Sequence, residues 1–318
     1  MNFADFSPLP EAPVLVLGAA GIDIVGVLRG ELRAGTSNPS QIRSSFGGVA
    51  RNVAENLARL GHPVRLLAAV GSDQMGERLI EQSAQAGVDI SAVIRIPDRT
   101  TGAYLAVVNS KGELQLALDD MHTVAYLSPE FVRQKSNLFK EASMLFVDAN
   151  LSKETLRAAI TLARRAKIPI CADPTSVGLA DRLIPHLPHL RLITPNAAEA
   201  GILCNRSVDP ARRRQTMEVA KCLVSQGVGI AIITLGQYGI CYATSETSGY
   251  IPAMRTEIVD PTGGGDALTA AVIFALFNDI PLDDALRLGV SAATLTLRYS
   301  GAVVPDLTLE KLYDQLVI

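Results

Sequence analysis

Cysteine is scarce in this 318-residue chain: Cys171, Cys204, Cys222 and Cys241 are widely scattered, and none forms a CxxC pair. A disulfide framework is therefore excluded, and reduced, buried thiols in a cytoplasmic protein are expected. The four histidines, His62, His122, His186 and His189, show no ligand spacing, so a zinc centre is not expected either. No apolar run reaches the roughly 20 residues that a membrane helix needs. Long basic runs are also missing, and the net charge is −3, which gives no reason to expect nucleic acid or a membrane surface as partner. There is no internal repeat and no low-complexity linker. The opening MNFADFSPLPEAP lacks a basic stretch followed by an apolar one, so residues 1–12 read as a short leader rather than a signal peptide.

What is present is an ordinary globular composition, 48% hydrophobic and 19% charged. Short strands, apolar on both faces, are expected over 14–18, 64–70, 144–148, 168–172, 190–194 and 229–234. Helices are expected over 48–60, 73–86 (capped by Ser72), 153–166, 197–203 and 210–226. A hairpin over 230–243 and a last helical pair from 264 to about 298 complete the pattern. Such alternation specifies an α/β fold, a doubly wound and mostly parallel sheet with helices on both faces. Two stretches break the rhythm, about 24–46 and 94–118. Both are rich in β-formers and turn glycines, and "NSKGE" in the second reads as a hairpin turn. They are expected to build a small antiparallel β lid on a single domain over 13–318.

In doubly wound folds, ligands bind beyond the carboxyl ends of the strands. Polar groups follow five of these six ends: Gly18 to Asp23, Asp148-Ala-Asn150, Asp173-Pro, Thr194-Pro-Asn196-Ala-Ala-Glu199 and Thr234-Leu-Gly236. Helix capping explains any one of them; five together favour a functional cluster.

The stretch Gly263-Gly264-Gly265-Asp266 opens a strongly apolar helix, although glycine costs helix propensity. A glycine turn at a helix N-terminus exposes N–H groups to an anion, and the helix dipole adds positive potential. A carboxylate beside that anion makes sense where Asp266 takes a proton from an attacking hydroxyl. A tight packing turn remains the alternative on this motif alone. Gly47-Gly48 leads into another helix, with Asn52 one turn inside it and turned toward the small sheet. Asp23 and Asn52 could there grip neighbouring hydroxyls of a sugar, or the glycines could simply mark a bend under the lid. No G-x-G-x-x-G fingerprint is present, which disfavours a dehydrogenase.

Taken in order, Gly47-Gly48 with Asn52, Asn196-Ala-Ala-Glu199 and Asp260-Pro-Thr-Gly-Gly-Gly-Asp266 resemble the motifs of the ribokinase-like, or PfkB, family of carbohydrate and nucleoside kinases. The resemblance implies ATP and Mg²⁺ as cofactors. It makes Asp266 the catalytic base and the amides of Gly263, Gly264 and Gly265 the anion hole. Asn196 would serve the ATP phosphates, with Glu199 holding Mg²⁺ through water. Thr234, Gly236 and Gly239 match the family's nucleotide loop. Asp23, Gly47, Gly48, Asn52, Asp120 and Asp148 fall on the acceptor side. A monovalent cation such as K⁺ is implied near Asp260 and Thr262. Within the family, "LDDMHT", "DANLSKETL" and Arg51 before Asn52 resemble bacterial pseudouridine kinases, and Val49 stands where ribokinases carry lysine. Gly264 replaces the family's usual alanine. The implied activity is ATP-dependent phosphorylation of the pseudouridine 5′-hydroxyl. Alternatives are another nucleoside or sugar acceptor (ribose, adenosine, fructose) and a non-catalytic sensor of such ligands. The outer face of the lid needs cover, which predicts a homodimer through it.

Overall fold

The computed structural model describes residues 11–316; the predicted leader lies almost wholly outside that range. Strand β1 (Val14–Leu17) is followed after three residues by β2 (Gly21–Leu28), then β3 (Ser40–Gly47) and helix α1 (Val49–Arg59). Next come β4 (Val64–Leu67), β5 (Ala69–Gly71), α2 (Gln74–Gln85), β6 (Ile94–Ile96), β7 (Ala103–Val108) and β8 (Leu114–Asp120). Two short helices, α3 (Pro129–Gln134) and α4 (Ser136–Lys140), lead into β9 (Met144–Asp148), α5 (Lys153–Ala166), β10 (Ile170–Asp173) and β11 (Leu192–Ile193). The chain continues through α6 (Ala197–Cys204), α7 (Arg213–Ser225), β12 (Ile230–Thr234), β13 (Ile240–Ala243) and β14 (Ser248–Ile251). It closes with α8 (Gly264–Phe277), α9 (Leu282–Leu297) and α10 (Leu309–Asp314).

The central sheet has the order β14-β13-β12-β11-β10-β9-β1-β4. It is parallel from β4 to β12, and β13 and β14 add an antiparallel edge. Each parallel strand is buried on both sides, which is why its residues are apolar without alternation. In β1, Val14 and Val16 enter the core beneath α1, α8 and α9, whereas Leu15 and Leu17 enter the one beneath α5, α6 and α7. Helix α8 is apolar on nearly every face because it packs between α1 and α9 over the sheet.

The second sheet, in the order β3-β2-β7-β8, is the expected lid. Its two outer pairings are antiparallel, but the middle pairing of β2 with β7 is parallel. These strands are not sequential neighbours: a long crossover separates them, so no hairpin dictates their direction.

Three local expectations change. The predicted strand over 64–70 breaks at Ala68, and its second half leaves the central sheet to pair with β6. Residues 94–96 therefore belong to that small ribbon and not to the lid. The cap of α2 is Asp73, whose carboxylate accepts from Gly76 N at 2.8 Å, and not Ser72.

Candidate active site

The chain runs from β1 to β4 on one side and to β9 on the other, so strand order reverses at β1. That switch point opens a crevice at the carboxyl edge. Asp148 closes it. Its Oδ2 accepts from Ala19 N (2.8 Å) and Ala50 N (3.0 Å), and its Oδ1 from Asn150 N (3.0 Å). The carboxylate is fully buried, and burial pushes its pKa upward despite these amides. Asp148, expected on the acceptor side, ties the end of β9 to the turn after β1 and to the start of α1.

Next to it the two glycine-led helix starts converge. Gly48 precedes α1 with φ 91°, and a side chain at Gly47 would strike the Asp23 carboxylate, 2.1 Å from the site of a Cβ. The close approach explains the glycine. It lets Asp23, on the root of lid strand β2, lie flat on the backbone that feeds α1. Burial lifts the Asp23 pKa to about 6, the Arg51 charge lowers it, and the Asp260 charge adds to the rise.

Across from α1, Gly263 caps α8 in the left-handed region (φ 75°), and a Cβ there would lie 2.0 Å from Ala302 O. Gly264 and Gly265 differ from it. A Cβ on Gly264 would make ordinary contact with Leu297 at 3.4 Å, and one on Gly265 would meet nothing within 4 Å. Gly265 is bare because it opens into a cavity of about 520 Å³.

Thr234, Gly236, Gly239, Gly264 and Gly265 all line that cavity, joining the predicted nucleotide loop to the predicted anion hole. Leu235 N bonds Gly239 O at 2.8 Å, which holds the loop in a tight turn. Met254, Leu268, Val290 and Leu297 give apolar walls suited to a flat heteroaromatic ring, and Thr256 and Thr294 are polar. Sequence reasoning missed Met254, Thr256 and the α9 residues. The first two lie in an irregular stretch without periodicity, and the face α9 turns to the cavity is not distinguishable from a core face.

Asp266, in the first turn of α8, accepts a hydrogen bond from Asn52 Nδ2 at 2.8 Å. Its pKa rises to about 7: burial raises it, the Asn52 bond lowers it, and the charges of Asp23, Asp148 and Glu199 raise it further. Asn52 thus turns onto Asp266 and not toward the small sheet; its second Nδ2 hydrogen remains for another acceptor.

Asn196 and Glu199 form a capping box on α6. Asn196 Oδ1 accepts from Glu199 N (3.0 Å), Glu199 Oε2 from Asn196 N (2.8 Å), and Glu199 Oε1 from Asn196 Nδ2 (2.7 Å). Burial raises the Glu199 pKa. Asp173 is raised well above the carboxylate range by burial and by the charges of Glu199 and Asp266. These acids crowd negative charge at one edge, an arrangement that a hard divalent cation would relieve. Among the described residues no group of His, Cys, Asp and Glu closes on a metal directly, so water or phosphate oxygens would complete the shell.

Asp260 is buried and fully engaged. Its Oδ1 accepts from Thr262 N (3.0 Å) and Thr262 Oγ1 (2.7 Å), its Oδ2 from Gly301 N (3.1 Å), and Arg43 Nη2 of the lid lies 3.4 Å away. Asp120 ends β8 at the lid root, two strands from Ile22; its carboxylate is exposed and meets His122 Nδ1 at 3.0 Å.

The pfkB family carbohydrate kinase description matches residues 12–309. The chain is 30% identical over 297 residues to pseudouridine kinase of Escherichia coli K12, covering 93% of this chain and 94% of that protein. It is 27% identical to guanosine-inosine kinase of Exiguobacterium acetylicum, covering 92% and 97%. Among solved structures, a carbohydrate kinase from Agrobacterium tumefaciens is 30% identical with a TM-score of 0.79, covering 96% and 97%. The Arabidopsis thaliana ribokinase complexed with ribose and ATP shares the fold, with a TM-score of 0.82 at 19% identity over 96% and 99%.

Proposed function

This chain belongs to the pfkB family of carbohydrate kinases, ATP-dependent phosphotransferases with a hydroxyl acceptor, and from that premise we propose that it transfers the γ-phosphoryl group of ATP to the 5′-hydroxyl of pseudouridine. One observation carries the chemistry: Asp266 stands directly after three glycine residues at a helix start, with its proton affinity near neutrality and an Asn52 N–H on its Oδ2. A carboxylate so tuned takes the proton of the acceptor hydroxyl as that oxygen attacks the γ-phosphorus. The O–H bond breaks toward Asp266, the new O–P bond forms, and the bond to the ADP oxygen breaks. The N–H groups of Gly263, Gly264 and Gly265 meet the developing charge. Asp23 and the free Asn52 hydrogen orient the sugar.

The 520 Å³ cavity would take the nucleotide, with Thr234, Gly236 and Gly239 around it and Asn196, bridged to Thr234, toward the phosphates. Mg²⁺ held through water at Glu199 would neutralise phosphate charge. A monovalent cation beside Asp260 and Thr262 belongs to the same reading; replacing potassium by choline in the assay checks it. The four free thiols and the lack, among the described residues, of any helix long and apolar enough to cross a membrane fit a cytoplasmic kinase.

Pseudouridine is favoured by the likeness to the Escherichia coli enzyme over nearly the whole chain and by Arg51 and Val49 in the glycine turn. The alternative acceptor is another nucleoside or sugar, given the guanosine-inosine kinase likeness. Steady-state kinetics across pseudouridine, uridine, adenosine, guanosine, inosine, ribose and fructose tests the assignment. The highest kcat/KM is expected for pseudouridine, and a higher value for any other acceptor overturns the substrate while leaving the kinase reading intact.

A further inference from the structure

The buried face of α1 carries a charge that phosphoryl transfer, as described, does not use. Arg51 is 1% exposed. Its Nη1 donates to Phe46 O at 2.9 Å and to Asn52 Oδ1 at 3.2 Å, and its Nη2 meets Glu55. Asn52 Nδ2 donates onward to Asp266 Oδ2 at 2.8 Å. We propose that Arg51 is a positioning residue: it locks the Asn52 amide so that an N–H, and never the carbonyl oxygen, faces Asp266. The proposal rests on the reading of Asp266 as the base.

The two ends of an asparagine amide have almost the same shape, so only their partners decide which way the group points. A guanidinium only donates, so the atom facing Arg51 must be Oδ1. An ionised carboxylate only accepts, so the atom facing Asp266 must be Nδ2. Asp266 alone could not maintain this orientation. Once it has taken a proton it becomes a donor, and a flipped Asn52 would then offer it Oδ1. That flipped pair would stabilise the protonated acid and oppose its return to the basic form. Arg51 forbids the flip, because a flipped amide would set N–H against N–H.

The charges around Asp266 give the lock its importance. Asp23 on β2, Asp148 on β9 and Glu199 on α6 all favour a protonated Asp266, and the Asp266 charge in turn raises Asp173 on β10. The Asn52 N–H is the one named neighbour that opposes them. Arg51 reaches Asp23 as a charge, but what bears on Asp266 is the Asn52 hydrogen bond, and Glu55 pairs with the guanidinium. Glu55 is itself held by Arg59 at 3.0 and 2.7 Å. Stability alone does not account for the arrangement either. Arg51 Nε is buried without a partner, and buried ion pairs of this kind are often replaceable by apolar residues without loss.

The test is the acid limb of the kcat–pH profile, measured with ATP and whichever of the seven acceptors above is turned over fastest. Arg51→Met paired with Glu55→Met removes both charges together, so neither is left alone. This pair is expected to move the limb up by roughly one pH unit, the size of one modest hydrogen bond to a charged group. Asn52→Leu is expected to move it at least as far, and adding the pair to Asn52→Leu to move it no further. An unmoved limb in the folded pair, or additive shifts in the triple variant, overturns the proposal. Arg51→Lys keeps a donor for Asn52 Oδ1 but loses the fork on Glu55. It is expected to hold the limb in place while lowering the melting temperature. Should the pair fail to fold, a shifted limb in Arg51→Lys or an unmoved one in Asn52→Leu overturns the lock. Asp266→Asn separates the two readings: normal turnover there defeats the base, whereas an inactive Asp266→Asn with an unmoved limb in the pair defeats the lock alone.

Discussion

Asn52 Nδ2 lies 2.8 Å from Asp266 Oδ2, a hydrogen bond between residues 214 positions apart. It joins the opening turns of α1 and α8, each preceded by glycines, so the two glycine-led helices meet at one carboxylate.

If Asp266 is the base, Asp266→Asn lowers kcat by on the order of 10²–10⁴ while acceptor binding is largely retained. Isothermal titration with the acceptor, beside the coupled ADP-release assay, reads both quantities. Near-normal turnover would sink the assignment.

The same residue sets a pH dependence. Its pKa of about 7 lies above the ordinary aspartate value of 3.8, so the folded protein binds this proton more tightly than the unfolded chain. Two consequences share one sign of reasoning. With Asp266 as the proposed base, activity is expected to fall as pH falls through about 7, where that carboxylate becomes protonated. Its contribution to stability is complete below pH 3.8 and is lost as pH rises through 7. Asp266→Asn is therefore expected to melt higher than the parent at pH 8.5, with the advantage shrinking toward pH 5. Thermal melts at the two pH values check this, and an advantage that grows toward acid contradicts it.

Gly263 and Gly264 answer to different constraints, and alanine substitution separates them. Gly263→Ala forces a side chain into the left-handed region against Ala302 O and is expected to cost roughly 2–4 kcal/mol. Gly264→Ala meets only ordinary contact with Leu297 and is expected to gain about 0.4–1 kcal/mol. Urea unfolding measures both. Equal losses at the two positions would contradict the distinction.

Asp148 and Asp23 should separate as well. Asp148→Ala leaves three buried amides without an acceptor, and a loss of roughly 3–5 kcal/mol is expected with acceptor KM little changed in the folded fraction. For Asp23→Ala we expect acceptor KM to rise at least about tenfold, the scale of one lost hydrogen bond to a charged group. The opposite pattern would return Asp148 to the acceptor.

Leu116 and Leu118 stand on one face of β8, a register shift between Val107 and Val108 takes Leu114 off that face, and all three are exposed. Ile42 on β3, at 71% exposure, adds to the apolar surface of the lid. We expect a second copy of the chain to cover this surface. Light scattering should find a dimer, and Leu116→Lys should shift it toward monomer. A monomeric parent protein removes the proposal.

Much of the fold is legible in the amino-acid sequence. Strands such as β1 and β9 declare themselves because burial on both faces leaves an unbroken apolar run, and the start of α8 is marked by glycines that only a special backbone needs. Local patterns failed where partners are distant. Nothing near Ala68 shows that the chain changes sheets there, since the departure is set by pairing with β6. Nothing near Asp148 distinguishes a carboxylate that holds three amides from one that holds a sugar. The meeting of Asn52 with Asp266 is equally invisible to periodicity, because it exists only once α1 and α8 pack together. The approach of Arg43 to Asp260 spans 217 positions and has no local signature.

The order of parts along the chain has one more consequence. Every lid strand, with Asp23, Gly47, Gly48 and Asn52, is encoded before residue 121, whereas every residue lining the nucleotide cavity comes after residue 233. On the proposed reading, the choice of acceptor and the handling of the phosphoryl donor would fall in separate portions of the chain. A chimera carrying a relative's first 120 residues would inherit that relative's taste in acceptors, provided its residue 52 still reached Asp266.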